Sequence, residues 1–224
     1  MSKLKLLFFP FALLIWYSGL FRSIDIQLAY FFNDWIRFNP LVQNGIAFLN
    51  SKTGDWLYDI IIASFIIPYI FFGDKTKRTK RFLTTLLLIA FTVGCYSYWN
   101  HHLCRVYLHI KCPSPSKVLP DLFQLSSVVH WIRIKQFASS SFPSGHGSTV
   151  CMFVIMIFHL MGRRVGLLAT LISIPFTLPR MIVGAHWASD ILLGSLPLAL
   201  FNIEWFFYFV IRRFDGPTLF RKSS

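Results

Sequence analysis

Residues 143–180 read PSGHGSTVCMFVIMIFHLMGRRVGLLATLISIPFTLPR. A Pro-Ser-Gly-His turn opens one apolar run, Ser148–Met161, and Gly162-Arg163-Arg164 breaks it. A second run, Val165–Pro179, then ends at Arg180. Two apolar runs joined by a short basic turn predict a pair of membrane-crossing helices. The positive turn lies on the cytoplasmic side, so the Pro-Ser-Gly-His turn and Arg180 share the opposite side.

The rest of the chain extends this pattern. Its 224 residues are 55% hydrophobic and 18% aromatic with 14% charged, too apolar for a soluble domain of this size. Six apolar runs approach the length of a bilayer crossing: Leu4–Leu20, Trp56–Phe72, Phe82–Tyr98, Ser148–Met161, Val165–Pro179 and Ile191–Ile211. The first is read as a span and not a cleaved signal, because only Phe21-Arg22 follows it. The expected fold is an all-α integral membrane protein, one domain over residues 1–224, built as a six-transmembrane-helix bundle.

Charge orients it. Net charge is +13, and 13 of the 22 basic residues fall on one side of the six-span arrangement. They are Lys3 and Lys5, then Lys75, Lys77, Arg78, Lys80 and Arg81, then Arg163 and Arg164, and last Arg212, Arg213, Arg221 and Lys222. Both termini are therefore expected in the cytoplasm, and segments 21–55, 99–147 and 180–190 on the opposite face. Basic clusters that flank spans exclude a nucleic-acid partner, which needs one continuous patch.

Two outer segments are expected to be interfacial helices. Ile24–Phe38 sets Leu28, Ala29, Phe32, Trp35 and Ile36 against Gln27, Asn33, Asp34 and Arg37. Asp121–Phe137 carries Leu122, Phe123, Leu125, Val128, Val129, Trp131, Ile132 and Ile134, and is read as a helix lining a lipid-entry gap or a lid over the bundle. Cys104 and Cys112 share the outer segments, where a disulfide is one option and two free thiols the other. His101, His102 and Cys104 lack the second ligand pair of a zinc site, so no metal is expected.

Chemistry concentrates on that outer face. His186 and Asp190 are four residues apart, so on a helix they share a side and the carboxylate can hold the imidazole tautomer. A ring so held serves as a nucleophile toward phosphorus or as a base. Arg180 offers a bidentate fork to phosphate oxygens. Gly145 allows a tight turn whose backbone N–H groups cradle an anion. Ser144 adds a hydroxyl, and His146 stands ready to protonate a leaving oxygen. In so apolar a chain the phosphate belongs to a lipid.

These residues resemble the type-2 phosphatidic acid phosphatase superfamily, whose relatives include vanadium haloperoxidases and glucose-6-phosphatases. That family has three blocks: Lys-x6-Arg-Pro, Pro-Ser-Gly-His and Ser-Arg-x5-His-x3-Asp. Pro143, Ser144, Gly145 and His146 match the second in full, and Arg180, His186 and Asp190 match the third, with Pro179 in place of its Ser. In the first block Arg105 stands at the Lys position and Cys112 replaces the Arg, with Lys111 beside it. Asp25, Asn33 and Thr53-Gly54-Asp55 resemble the amino-terminal pattern of bacterial members.

The resemblance implies His186 as nucleophile, Asp190 as its orienting group and His146 as general acid. It implies phosphoryl binding by Arg180, Arg105, Lys111, Ser144 and the Gly145 amide, with no metal and no cofactor. Ser114-Pro115-Ser116 and Ser139-Ser140-Ser141 resemble the bacterial branch of lipid A 1-phosphatases and undecaprenyl diphosphate–lipid A phosphotransferases. The implied partners are the bilayer and a lipid phosphate or diphosphate, at the periplasmic face of a bacterial inner membrane, with oligomeric state left open. A catalytically silent lipid-binding or transport protein of the same fold is the alternative that Cys112 and Pro179 raise.

Overall fold

The computed structural model describes residues 7–72 and 75–207, the side chains of residues 95–97 and 99–101 excepted. Lys3, Lys5, Arg212, Arg213, Arg221 and Lys222, the ends of the first and last expected spans and the His101 side chain lie outside the described residues. Within them the chain is helical or irregular, without a strand.

Six helices stand where the apolar runs lie: α1 (Phe8–Tyr17), α4 (Lys52–Phe71), α5 (Arg78–Tyr96), α7 (Gly145–Met161), α8 (Arg163–Ile182) and α9 (Leu196–Phe206). By length and composition α4 and α8 are able to cross a membrane, and α1 and α7 are shorter apolar helices. The remaining elements are α2 (Arg22–Asp34), α3 (Pro40–Leu49), the short α6 (Pro115–Val118) and wider π-type turns at Ser97–Tyr107 and Asp190–Ser195. Sequence reading missed α3. Its start is set by Asn39, whose side chain accepts from the N–H groups of Leu41 and Val42, with Pro40 in the first turn.

α7 is the central helix and packs on α8 and α9. It buries Val150, Met152, Phe153, Met156 and Ile157 with Tyr58, Leu88, Phe176 and Ile203. Tyr58 and Ser173 share a hydrogen bond of 2.8 Å that ties α4 to α8. Large apolar side chains point outward instead at Phe11, Leu14, Ile60, Ile67, Leu86, Val93, Leu167 and Leu171. An apolar exterior of this extent suits a lipid surround, in which such faces lose nothing by exposure.

Of the two outer segments expected to be helical, one forms a helix and the other does not. α2 forms, but Asn33, expected on its polar face, is fully buried. Residues 121–137 are irregular apart from one 3₁₀ turn, Leu125–Ser127. Buried amides replace the helix ladder there. Asn33 accepts from the Phe123 N–H at 2.7 Å and donates to the carbonyls of Phe123 and Ile182 at 3.2 and 3.0 Å. Gln136 accepts from the Ser126 N–H, and Asn50 donates to the Lys135 carbonyl. With its backbone groups satisfied by side chains, the segment follows the bundle surface and buries Leu125 and Val129 against Ile36, Ala47 and Ile182.

Replacing Asn33 by Ala leaves one backbone N–H and two carbonyls without their partner. We expect a loss of about 1–3 kcal/mol, read as a lowered midpoint of thermal unfolding in detergent; an unchanged midpoint contradicts this account.

Candidate active site

The N-terminal ends of α4 and α7 and the C-terminal end of α8 border a cavity of about 330 Å³. Asp55, Lys135, Gly145, His146, Arg180 and His186 line it, with Gln136, Phe137, Ala138, Thr149 and Ala185. Four of the eight expected site residues (Gly145, His146, Arg180 and His186) therefore reach one space.

His186 and Asp190 meet, though not on one helical face. His186 sits in the turn between α8 and the next helical stretch, and Asp190 opens that stretch. The fully buried Asp190 carboxylate accepts from the Trp187 N–H at 2.9 Å through Oδ2, which lies 3.4 Å from His186 Nδ1. A carboxylate at Nδ1 places the ring proton there and leaves Nε2 with its lone pair.

The turn itself is tightly held. Gly184 adopts φ +71°, and a Cβ on it would lie 2.5 Å from Ser116 Oγ. Ser116 Oγ donates to the carbonyls of Val183 and Gly184. Asp25 accepts from the Ser189 N–H and hydroxyl at 2.9 and 2.5 Å, while its burial raises its pKa. Trp187 Nε1 donates to the Pro113 carbonyl, and Arg22 lies 4.2 Å from the Trp187 ring centre. Asp25 and the Ser-Pro-Ser segment thus act through the backbone that carries His186.

His146 lies in the first turn of α7, outside the apolar run that begins at Ser148. Its Nε2 donates to the Phe176 carbonyl at 2.7 Å, and its Nδ1 is 3.4 Å from Asp55 Oδ1. Pro179 lies three residues beyond Phe176 in α8 and lacks the N–H that would bond the Pro175 carbonyl. Burial first, then the Arg180 charge, push His146 down to about 4, against the pull of Asp55.

Arg180 is buried at the end of α8. Its Nη2 donates to Asp55 Oδ1 at 2.6 Å and its Nη1 to the Asn50 carbonyl at 3.4 Å. Asp55 comes from the first turn of α4, where Ser51 caps the helix through the N–H groups of Thr53 and Gly54. Gly54 is obligatory beside it, since a Cβ would lie 2.5 Å from the Leu49 carbonyl oxygen. The second Asp55 oxygen holds Lys135 Nζ. Lys135 escaped sequence reading because it belongs to no motif and lies in the irregular segment.

Other expected residues lie elsewhere. Ser144 is fully buried and caps α7 by accepting from the Gly147 N–H at 3.1 Å, so it does not line the cavity. Arg105 is exposed and donates to the Ser140 carbonyl, and Lys111 is exposed. Neither lines the cavity. Cys112 is buried with Ala29, Cys104, Phe142 and Trp187, and burial pushes its thiol up to about 11. It carries no charge for a phosphate at neutral pH. Cys104 and Cys112 are free thiols, not a disulfide.

Residues 107–215 match the PAP2 superfamily. The chain is 24% identical over 196 residues to the lipid A 1-diphosphate synthase of Escherichia coli K12, covering 86% of this chain and 80% of that relative. Its fold is similar to the crystal structure of the transmembrane PAP2-type phosphatidylglycerolphosphate phosphatase from Bacillus subtilis. The TM-score is 0.57 and the identity 18%, over 97% of this chain and 98% of the other.

The lowered His146 pKa gives a signed prediction. Below about pH 6.5 the unfolded chain takes up a proton at this position that the folded site refuses until about 4. Stability present at neutral pH is therefore lost as pH falls through that window. His146→Gln is expected to lose less over the same range, measured by thermal unfolding in detergent; equal losses would contradict the assignment.

Proposed function

We propose that this chain, whose residues 107–215 match the PAP2 superfamily, is a membrane enzyme that removes or transfers a phosphate of a lipid phosphate or diphosphate. One observation carries the reading. The Asp190-held His186, His146 and Arg180 surround one cavity whose floor includes the start of α7 at Gly145.

The chemistry follows from that arrangement. His186 Nε2 attacks phosphorus, and the bond from phosphorus to the leaving oxygen breaks. Asp190 stabilises the positive charge that the ring acquires. Arg180 and the Gly145 amide at the α7 N-terminus stabilise the equatorial oxygens. His146 donates a proton to the leaving oxygen. An incoming dianion raises its proton affinity from the low value of the empty site, so the acid is charged when substrate arrives. Water, or the phosphate of a second lipid, then attacks phospho-His186, gives its proton to His146, and frees the nucleophile. No step in this sequence calls for a metal.

A lipid substrate is supported by a second, apolar cavity of about 350 Å³, lined by Val150, Val154, Ile174, Leu178, Met181 and Leu192. Met181 adjoins Arg180 in sequence and Ile191, also on its wall, adjoins Asp190. An acyl or prenyl chain held there leaves its headgroup at the histidines. The name of the relative in Escherichia coli favours lipid A as acceptor, and the resemblance to the undecaprenyl diphosphate–lipid A phosphotransferases favours undecaprenyl diphosphate as donor, with lipid A 1-phosphate and phosphatidyl phosphates as other substrates of the same chemistry. In this reading the six apolar helices span a bacterial inner membrane, both termini are cytoplasmic and the site faces the periplasm.

Purified protein given labelled undecaprenyl diphosphate, with and without lipid A, tests the proposal. Free phosphate in the absence of lipid A marks hydrolysis, and label on lipid A marks transfer. His186→Ala is expected to abolish both, and Asp190→Asn to lower turnover by about 10³-fold or more. The buried, uncharged Cys112 favours a silent lipid-binding protein as second reading. Purified wild-type protein that binds the lipid phosphate without turning it over would decide for it.

A further inference from the structure

Cys112 removes the cation that the first sequence block is expected to supply, and neither Arg105 nor Lys111 replaces it at the cavity. Yet the cavity holds two cations. Arg180 comes from α8, and Lys135 comes from the irregular segment. Both are tied to the same buried residue. The Asn50 carbonyl accepts from Arg180 Nη1 and from the Lys135 N–H at 3.3 Å, and Asn50 Nδ2 donates to the Lys135 carbonyl at 2.9 Å. Asn50 is fully buried. Lys135 is thus fixed by its backbone beside Arg180, although its side chain is half exposed.

The two cations converge on one carboxylate. Asp55 Oδ1 receives Arg180 Nη2 at 2.6 Å and faces His146 Nδ1 at 3.4 Å, while Oδ2 receives Lys135 Nζ. A phosphoryl group in this cavity needs the same three partners: a guanidinium, a second cation and the acid imidazole. Asp55 has an ordinary structural alternative as an ion pair, but a surface Lys–Asp pair contributes little by itself. Here the carboxylate also draws on a buried guanidinium, inside the space where substrate belongs.

We propose that Asp55 takes the place of the phosphoryl group until substrate binds, and that Lys135 is the second phosphoryl-binding cation of this chain, in place of the missing first-block arginine. This rests on the cavity being a phosphoryl site. The carboxylate keeps Arg180 and Lys135 oriented and their like charges compensated until a phosphate oxyanion displaces it. It also sets selectivity, because a ligand must outcompete an attached carboxylate. A dianionic phosphate does so, and a neutral or zwitterionic headgroup does not.

The experiment titrates the full-length protein in detergent with orthovanadate by calorimetry, alongside turnover of undecaprenyl diphosphate. Lys135→Ala is expected to weaken vanadate binding about tenfold or more and to raise KM, while Lys135→Arg restores most of both. Asp55→Asn is expected to bind vanadate several-fold more tightly than wild type, because the competing charge is gone. Unchanged binding in Lys135→Ala, or weaker binding in an Asp55→Asn protein with wild-type unfolding midpoint, overturns the inference and leaves the enzyme reading intact. If Asp55→Asn does not fold, the Lys135 pair decides alone. A wild-type protein that neither binds vanadate nor turns over any lipid phosphate sinks the reading of the cavity itself.

Discussion

A guanidinium buried at the end of an apolar helix requires a counter-charge, and the elements around the cavity are arranged to meet that requirement. Arg180 has its side chain on Asp55 and on the Asn50 carbonyl. Its own carbonyl accepts from the N–H groups of Ala185 and His186 at 2.9 and 3.1 Å. One residue therefore joins the first turn of α4, the α3–α4 junction and the turn carrying His186. An unpaired charge at this depth would be far more costly than the pairing that holds it. The contacts that compensate Arg180 are the same ones that join these elements.

Two irregularities border this arrangement. Pro175 and Pro179 lie inside α8, and the second falls beside Arg180. Pro179 lacks the N–H that would bond the Pro175 carbonyl. His146 Nε2 donates to a different carbonyl of the same helix, that of Phe176. The irregular stretch 121–137 brings Lys135, Gln136 and Phe137 to the cavity wall, which a straight surface helix over the same residues would not do together.

Much of this was legible in order of chain position. The apolar runs, the basic turns between them and the second and third blocks marked the helices and four cavity residues, because span length and local spacing are properties of neighbouring residues. The misreadings share a cause. Periodic apolar residues in Asp121–Phe137 suggested a helix, yet Asn33, Asn50 and Gln136, distant or unremarkable in sequence, satisfy that backbone instead. Ser144 looked like a ligand hydroxyl, and its oxygen caps α7.

The sequence by itself indicated a helical chain with apolar runs of near-span length and a His–Asp pair, a second His and an Arg at the ends of those runs, since composition, charge placement and short motifs are written in consecutive residues. Tertiary structure alone decided which cations share the cavity. Arg105 and Lys111 have the right charge and position along the chain but face elsewhere, whereas Lys135 and Asp55, 80 residues apart, meet because Asn50 anchors the segment that brings them together. Spacing can specify a turn of helix; it cannot specify which distant side chain fills the space opposite.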